Sequence, residues 1–539
     1  MEDAKRARRP ARTVSHAASL AASSSRSASL HRVTLEEARG PIADGPAPVP
    51  APTSGLASQT TIYGMSGVAL QVVGVITLPI FARALTQAEL GVLALATAAS
   101  FLALALADFG FSSAALRSYY DYTAADEPER KKVIFTAFSF TTAIAVVVAV
   151  AALLGRAQLS DLLFGRREEA TLIAVVAVSI PLINMANFLR EAMRLRFRAR
   201  DYLISSLVGA SLAGAVGIIA VVGFDDGPEG VFYGILAGNA AATVYGLAVL
   251  RRDLTFNFSF PELRTMLAYG LALVPTAMAL WGLALVDRFM LEKLSGLSDV
   301  GQYEVANRVA SVLLFGINGF LLALGPYLLS IFSEDRALEK VTRGRILTYF
   351  TFTLALAALA LTLFARELIS IVAPAFPDAY KAIGFLSLGM LAFGVSSIAM
   401  AGISLARRTV LFAIFTGAAC ALNIGLNFAL IPPFGMVGAA LATAAAYTLL
   451  AGLYYWSAQR VYPTPYEPVK VIALLALAVA CSAPGFVRID PYAIELGLKL
   501  LALAVFVVGA RVTGAIGPGE LGELRRFVRG MVPVGAARA

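Results

Sequence analysis

Residues 269–291 read YGLALVPTAMALWGLALVDRFML, and two features of that stretch decide the class of the whole protein. The first is its uncharged run from Tyr269 to Val286, close to the roughly 20 apolar residues that cross a bilayer as a helix. The second is what ends the run, an acid and a base side by side at Asp287 and Arg288. An unpaired charge in hydrocarbon costs several kcal/mol. The pair therefore marks either the place where the chain leaves the membrane or a charge with a task inside it.

Runs of this kind recur from residue 61 to residue 512 of a 539-residue chain that is 58% hydrophobic and 15% charged. A soluble protein of this length is about one quarter charged and alternates apolar with polar faces. The expected fold is therefore an all-α polytopic membrane protein. Counting roughly 20 apolar residues per span gives about 14 transmembrane helices: 61–84, 89–112, 133–154, 170–190, 202–223, 229–250, 265–291, 300–332, 346–365, 379–405, 409–430, 434–457, 468–487 and 491–511. The connections are short and leave no room for an extramembrane domain.

Residues 1–57 are rich in Ser, Ala, Arg and Pro and have no apolar period, as expected of a disordered cytoplasmic tail. They lack the apolar core and cleavage site of a signal peptide. Residues 513–539 form a second cytoplasmic tail. Cys420 and Cys481 fall inside apolar runs, and His16 and His31 lie in the N-terminal tail, so no disulfide, metal site or cofactor is expected. The net charge of +9 resides mostly in short loops rather than in a basic, aromatic patch, which argues against nucleic acid as a partner.

Alternate loops carry twenty and nine Lys and Arg residues. The positive-inside rule places the richer set in the cytoplasm together with both termini, which requires an even number of spans. The chain also repeats itself: YGMSGVALQVVGVITLPIFAR in span one resembles YGLALVPTAMALWGLALVDR in span seven, pairing Tyr63 and Gly64 with Tyr269 and Gly270, and Arg83 with Arg288. Spans six and twelve are each introduced by a GxxG, Gly227 to Gly230 and Gly435 to Gly438. Six spans separate the copies, so they enter from one side. This predicts two pseudo-symmetric six-helix lobes, 58–252 and 253–458, with spans thirteen and fourteen appended over 459–512, an architecture found in transporters with a midplane site.

The segments LPIFARALTQAELGVLALA, LVDRFMLEKLSGLSDVGQYEVANRVA and NIGLNFALIPPFGMVGAALATAAAY resemble those of the polysaccharide flippases. These are the O-antigen and exopolysaccharide branch of the multidrug/oligosaccharidyl-lipid/polysaccharide (MOP) exporter superfamily, and the likeness extends over residues 58–511. The resemblance implies two lobes that rock between inward-open and outward-open states in the cell's cytoplasmic membrane. It also implies an undecaprenyl-diphosphate-linked oligosaccharide as cargo, with membrane lipids and the polymerase and glycosyltransferases of polysaccharide synthesis as partners. The long N-terminal tail departs from the pattern.

Several charged residues are candidates for a site. Arg288 is either an interfacial arginine whose stem snorkels to the headgroups or a cation facing the inter-lobe cavity, where its planar fork would grip phosphate oxygens in pairs. Asp287 and Arg288 point roughly 100° apart on a helix, so Glu292, one turn on, is the expected partner of Arg288. Glu304, Asn307 and Arg308 share one helix face by their spacing, as a structural Glu–Arg pair or as a polar stripe on the cavity wall. Arg83 inherits both readings of Arg288. Asp108, expected to pair with Arg117, is the candidate for a coupling ion, and Glu495 with Lys499 is expected to be a structural pair. Pro79, Pro181, Pro275 and Pro326 fall inside spans and supply kinks.

Three functions compete: a lipid-linked oligosaccharide flippase, a drug or cation antiporter or lipid II flippase of the same fold, and a membrane glycosyltransferase or polymerase. The arginine-rich candidates favour an anionic cargo. The short loops and the lack of a phosphate loop, paired catalytic carboxylates or nucleophile elbow argue against an enzyme.

Overall fold

The structure is a computed structural model and describes residues 73–515 apart from 75, 124, 406, 407 and 409. The N-terminal tail, most of span one, with Tyr63 and Gly64, and the C-terminal tail from 516 lie outside the described residues. The described chain is helical and contains no strand. In a bilayer every backbone donor and acceptor must be satisfied within the protein, and a helix does this inside one segment.

Twelve helices among the described residues are long and apolar enough to cross a membrane, which makes this a multi-pass membrane protein. One of the twelve, Val410–Val461, is two helices that meet at Gly435, whose backbone (φ 54°, ψ −133°) no L-residue adopts readily. Gly227, the other first glycine of the GxxG pair, is also left-handed at φ 59°. The second glycines match as well. A Cβ on Gly230 would lie 2.9 Å from Val221, and one on Gly438 would lie 2.1 Å from the Leu430 carbonyl oxygen. In both places the chain turns at the first glycine and the second lets the new helix close on the end of the old one.

Two expected boundaries are corrected. Span eight, expected as one helix over 300–332, is two, Leu297–Ala310 and Val312–Glu334, which meet at Ser311. Span two is Gln87–Asp108, followed after left-handed Phe109 and Gly110 by a separate helix, Phe111–Asp121. Its start is set by a capping box: Thr86 Oγ1 accepts from the Glu89 amide at 3.3 Å, and Glu89 Oε2 accepts from the Thr86 amide at 2.8 Å.

Lipid tails are as apolar as leucine, so helices here associate by close packing rather than by escape from water. Small residues make this possible between Ala199–Ile218 and Gly227–Leu250, where a Cβ on Gly234 or Gly238 would stand 2.2 Å from the carbonyl oxygen of Ala213 or Gly209. Arg336–Leu363 packs on Tyr380–Leu405 and also receives the last two helices, Pro468–Cys481 and Tyr492–Val512. The expected Glu495–Lys499 pair forms at 2.7 Å, and Lys499 also bonds Glu367, tying the last helix to the short helix Ala365–Val372.

Helix Gln87–Asp108 runs along the two helices that begin the second half of the chain. At one end it crosses Leu297–Ala310 at Gly91 and Gly301, where added Cβ atoms would lie 2.1 Å from Leu297 O and 1.9 Å from Gln87 O. In its middle Trp281 Nε1 donates to Ala98 O at 3.1 Å. Beyond its other end Gly110 meets Gly270, with a hypothetical Gly110 Cβ 2.7 Å from Gly270 O. Nearby, Tyr122 OH donates to Glu262 at 2.5 Å, and that bond pushes the Tyr122 hydroxyl up to about 12.

Candidate functional site

Two helical hairpins build the polar centre. Helix Phe260–Leu294 returns as Leu297–Ala310 through a turn whose Gly296 has φ 103°. Arg288 lies six residues before that turn's first helix ends and Glu304 seven after the second begins, so both sit at the same depth, roughly 10 Å in at about 1.5 Å per residue. The second hairpin folds at Gly435, with Asn427 eight residues before it and Thr443 eight after it. A Cβ on Gly435 would meet Asp299 Oδ2 at 2.5 Å, so the two turns touch at one end. Side chains at matching depth then converge.

Arg288 donates through Nε and Nη2 to Glu304 Oε2 at 3.2 and 3.0 Å, and through Nη1 to Asp287 Oδ1 at 2.9 Å and Ala284 O at 3.0 Å. The other Glu304 oxygen accepts from Arg308 Nε at 2.9 Å. The Tyr303 hydroxyl donates to Asp287 Oδ2, which also accepts from Thr443 Oγ1 at 3.3 Å. Asn423 donates to Thr443 at 3.3 Å and Asn427 to Asn423 at 3.0 Å. Asp287 is 2% exposed and Arg288 5%. Two acids and two bases alternate along this chain and cancel, which is the condition under which ions persist in a low-dielectric interior.

This geometry corrects the expected pairing of Arg288 with Glu292. Glu292 is held by Lys293 at 3.1 Å, while Arg288 reaches both its neighbour Asp287 and the next helix. The 100° offset between adjacent positions is bridged because the arginine stem is long enough to fold back. Buried among helices, Arg288 has no route for its head to reach headgroups, so it does not snorkel.

The other candidates are dispersed. Arg83 is exposed and donates to Ile371 O at 2.7 Å, so the repeat partners Arg83 and Arg288 occupy unlike surroundings. Asp108 does not pair with Arg117; its Oδ1 accepts from the Ser112 amide and hydroxyl at 3.2 and 2.5 Å, and Arg117 stacks over the Tyr269 ring at 4.8 Å. Asn307 is half-buried, one turn before Ser311, whose hydroxyl donates to the Asn307 carbonyl at 2.7 Å. Arg308 differs from Arg288: its side chain is 29% exposed, and only Nε has a bonding partner among the described residues. It lies eleven residues past Leu297, roughly 16 Å along the helix from the turn, a distance of about half a hydrocarbon layer roughly 30 Å thick. A cation at that depth faces protein or a water-filled space, not lipid.

The sequence reading passed over Tyr303, Thr443, Asn423 and Asn427. The two asparagines did carry a signal, an i, i+4 polar pair in the apolar run ALNIGLNFAL. Among the described residues no group of three or more His, Cys, Asp or Glu is placed to hold a metal ion.

Residues 56–332, just over half of the chain, match the family model described as polysaccharide biosynthesis protein. The chain belongs to that family. It is 26% identical over 243 residues to the succinoglycan biosynthesis transport protein ExoT of Rhizobium meliloti, a match covering 44% of this chain and 46% of that protein. The chain thus spans about half the length of this curated relative. In fold it is similar to the lipid II flippase MurJ in an inward closed conformation, with a TM-score of 0.64 at 15% identity over 84% of this chain and 98% of that one. It is also similar to an inward-facing multidrug resistance MATE family transporter of the MOP superfamily, with a TM-score of 0.57 at 16% identity over 76% and 95%. Membership of the family and the shared fold bear out the resemblance read from the sequence.

Proposed function

We propose that this family member is a flippase that carries a polyprenyl-diphosphate-linked oligosaccharide across the cytoplasmic membrane by alternating access of two six-helix lobes, 58–252 and 253–458. Both termini lie in the cytoplasm, and spans thirteen and fourteen are an appendage. The polymerase and glycosyltransferases of surface-polysaccharide synthesis are the partners that supply and consume the cargo, and the chain itself catalyses no bond change.

The observation that carries this reading is the contrast between the two arginines. Arg288 spends its fork on Glu304 and Asp287, which holds Glu304 in place. Glu304 in turn holds Arg308 by Nε alone and leaves its two terminal nitrogens for a ligand at mid-membrane depth. A planar two-pronged donor suits a diphosphate. A carrier of organic cations needs an uncompensated acid, whereas Asp287 and Glu304 are both neutralised by arginine. This disfavours the antiporter reading.

Complementation of a strain lacking the gene, with membrane abundance measured alongside, tests the assignment. Arg308→Gln should accumulate normally, abolish glycan export and leave the lipid-linked oligosaccharide on the cytoplasmic face. Arg308→Lys should restore export partly, because it keeps the charge without the fork. Full export by Arg308→Gln would refute the role of Arg308.

A further inference from the structure

Two loops on one side of the protein carry a surface that transport does not explain. Residues 251–259 join Gly227–Leu250 to Phe260–Leu294, and residues 196–198 join Ala170–Leu195 to Ala199–Ile218. Buried Asp253 ties them together through ion pairs with Arg196 at 3.1 Å and Arg198 at 3.5 Å. Arg196 also reaches Glu127 at 2.5 Å, and the Ser259 amide donates to Thr136 at 3.0 Å. The loops therefore form one braced platform, and its acids are consumed in bracing it.

What the platform turns outward is aromatic and basic. Phe256 is 97% exposed, Phe260 75% and Phe197 56%. Phe197 holds a left-handed backbone at φ 56°, a conformation that a bulky residue adopts only at a cost. Arg200, Arg251, Arg252 and Arg264 stand within five residues of one or other of these phenylalanines in the sequence, exposed and without an acid partner among the described residues. Exposure here is not a general property of such loops. After span twelve, the corresponding loop YPTPYE turns its aromatic residues inward: Tyr466 is buried and the Tyr462 hydroxyl donates to Glu339 at 2.9 Å.

We propose that this platform is a membrane-surface anchor for anionic phospholipid headgroups, with the phenylalanine rings in the boundary between headgroups and acyl chains and the arginines on the phosphates. Position argues for lipid over a soluble protein, because the rings stand within a few residues of the helix ends Leu195 and Leu250 and of the helix start Phe260. Charge argues the same way: basic residues beside spans are drawn to an anionic leaflet, and aromatic residues settle at its interface. Residues 251–259 also connect the two halves of the chain, so the anchor would hold to the bilayer the segment about which the halves move.

The test uses full-length Phe256→Trp, and separately Phe260→Trp, in phosphatidylcholine vesicles with and without phosphatidylglycerol. The signal of Trp281 and Trp456 is subtracted using the unmodified protein. Bromine placed high on the acyl chains should quench the new tryptophan while soluble iodide does not, and phosphatidylglycerol should strengthen the quenching. Each of Arg251→Gln and Arg252→Gln should weaken the phosphatidylglycerol-dependent part by about fivefold. Iodide quenching with no response to bromine would overturn the anchor. Equal quenching in both vesicle types would overturn the assignment to anionic headgroups. A ring open to iodide in vesicles that becomes shielded only on adding cytosolic protein would give the surface to a protein partner instead. Thermal unfolding matching the unmodified protein excludes misfolding as the cause.

Discussion

Arg288 and Glu304 stand sixteen residues apart on successive antiparallel helices, yet two nitrogens of one close on a single carboxylate oxygen of the other, at 3.2 and 3.0 Å. That contact locks the hairpin and leaves the second Glu304 oxygen to orient Arg308. The two arginines therefore answer to different tests, and substitution separates them.

Removing the guanidinium of Arg288 leaves Glu304 and Asp287 buried with one partner fewer each. Breaking such a pair costs about 3–5 kcal/mol. Arg288→Ala should therefore lower membrane abundance and thermal stability, unlike Arg308→Gln, as read by fluorescence-detected size exclusion after graded heating. Arg288→Lys should recover little, since one ammonium cannot span Glu304, Asp287 and the Ala284 carbonyl together.

The crossing at Gly91 and Gly301 has no room for a methyl group. Gly301→Ala places a carbon against the Gln87 carbonyl and forces the helices apart at a cost of about 1–3 kcal/mol. A lowered unfolding temperature is expected, together with faster labelling of a cysteine at Ser298, whose hydroxyl now bonds Gln87 at 2.6 Å. Unchanged labelling would show that the contact does not hold this end closed.

Asp108 caps the turn into helix Phe111–Asp121 through Ser112. Asp108→Asn keeps an acceptor and should transport normally, whereas Asp108→Ala should lose about 1 kcal/mol of stability. Loss of transport in a stable Asp108→Asn protein would instead assign the carboxylate a proton or ion.

Sidedness follows from the uneven distribution of basic residues. Single cysteines at Asp225 and Ser295, both exposed, should react with an impermeant maleimide added to whole cells, and one at Arg252 should react only after permeabilisation. The reverse pattern would invert the topology and the direction of transport.

Much of the fold was legible because its signals are local. The GxxG pairs at Gly227 and Gly435 mark equivalent turns, whereas the four-residue capping pattern of Thr86 and Glu89, passed over in the sequence, sets the start of its helix at Gln87 rather than at 89. The one-residue interruption at Ser311 was not legible, since nothing in the apolar run VLLFGINGFLLALG distinguishes an interrupted helix from a continuous one. Arg83 and Arg288 aligned in sequence but diverged in environment, because alignment carries no information about which loop or helix packs alongside.

The sequence by itself determined that the chain crosses a membrane many times as helices, because apolar length and unsatisfied backbone in hydrocarbon allow no other solution. It also singled out Asp287, Arg288, Glu304 and Arg308, because charges within such runs are too costly to be incidental. Their partners were decided only by tertiary structure. A helical period shows which residues share a face but not which face is opposite. The turns at Gly296 and Gly435 bring Thr443 and Tyr303 onto Asp287, and Glu304 between two arginines. That placement gives Arg288 two acid partners and leaves Arg308 with only Nε bonded among the described residues.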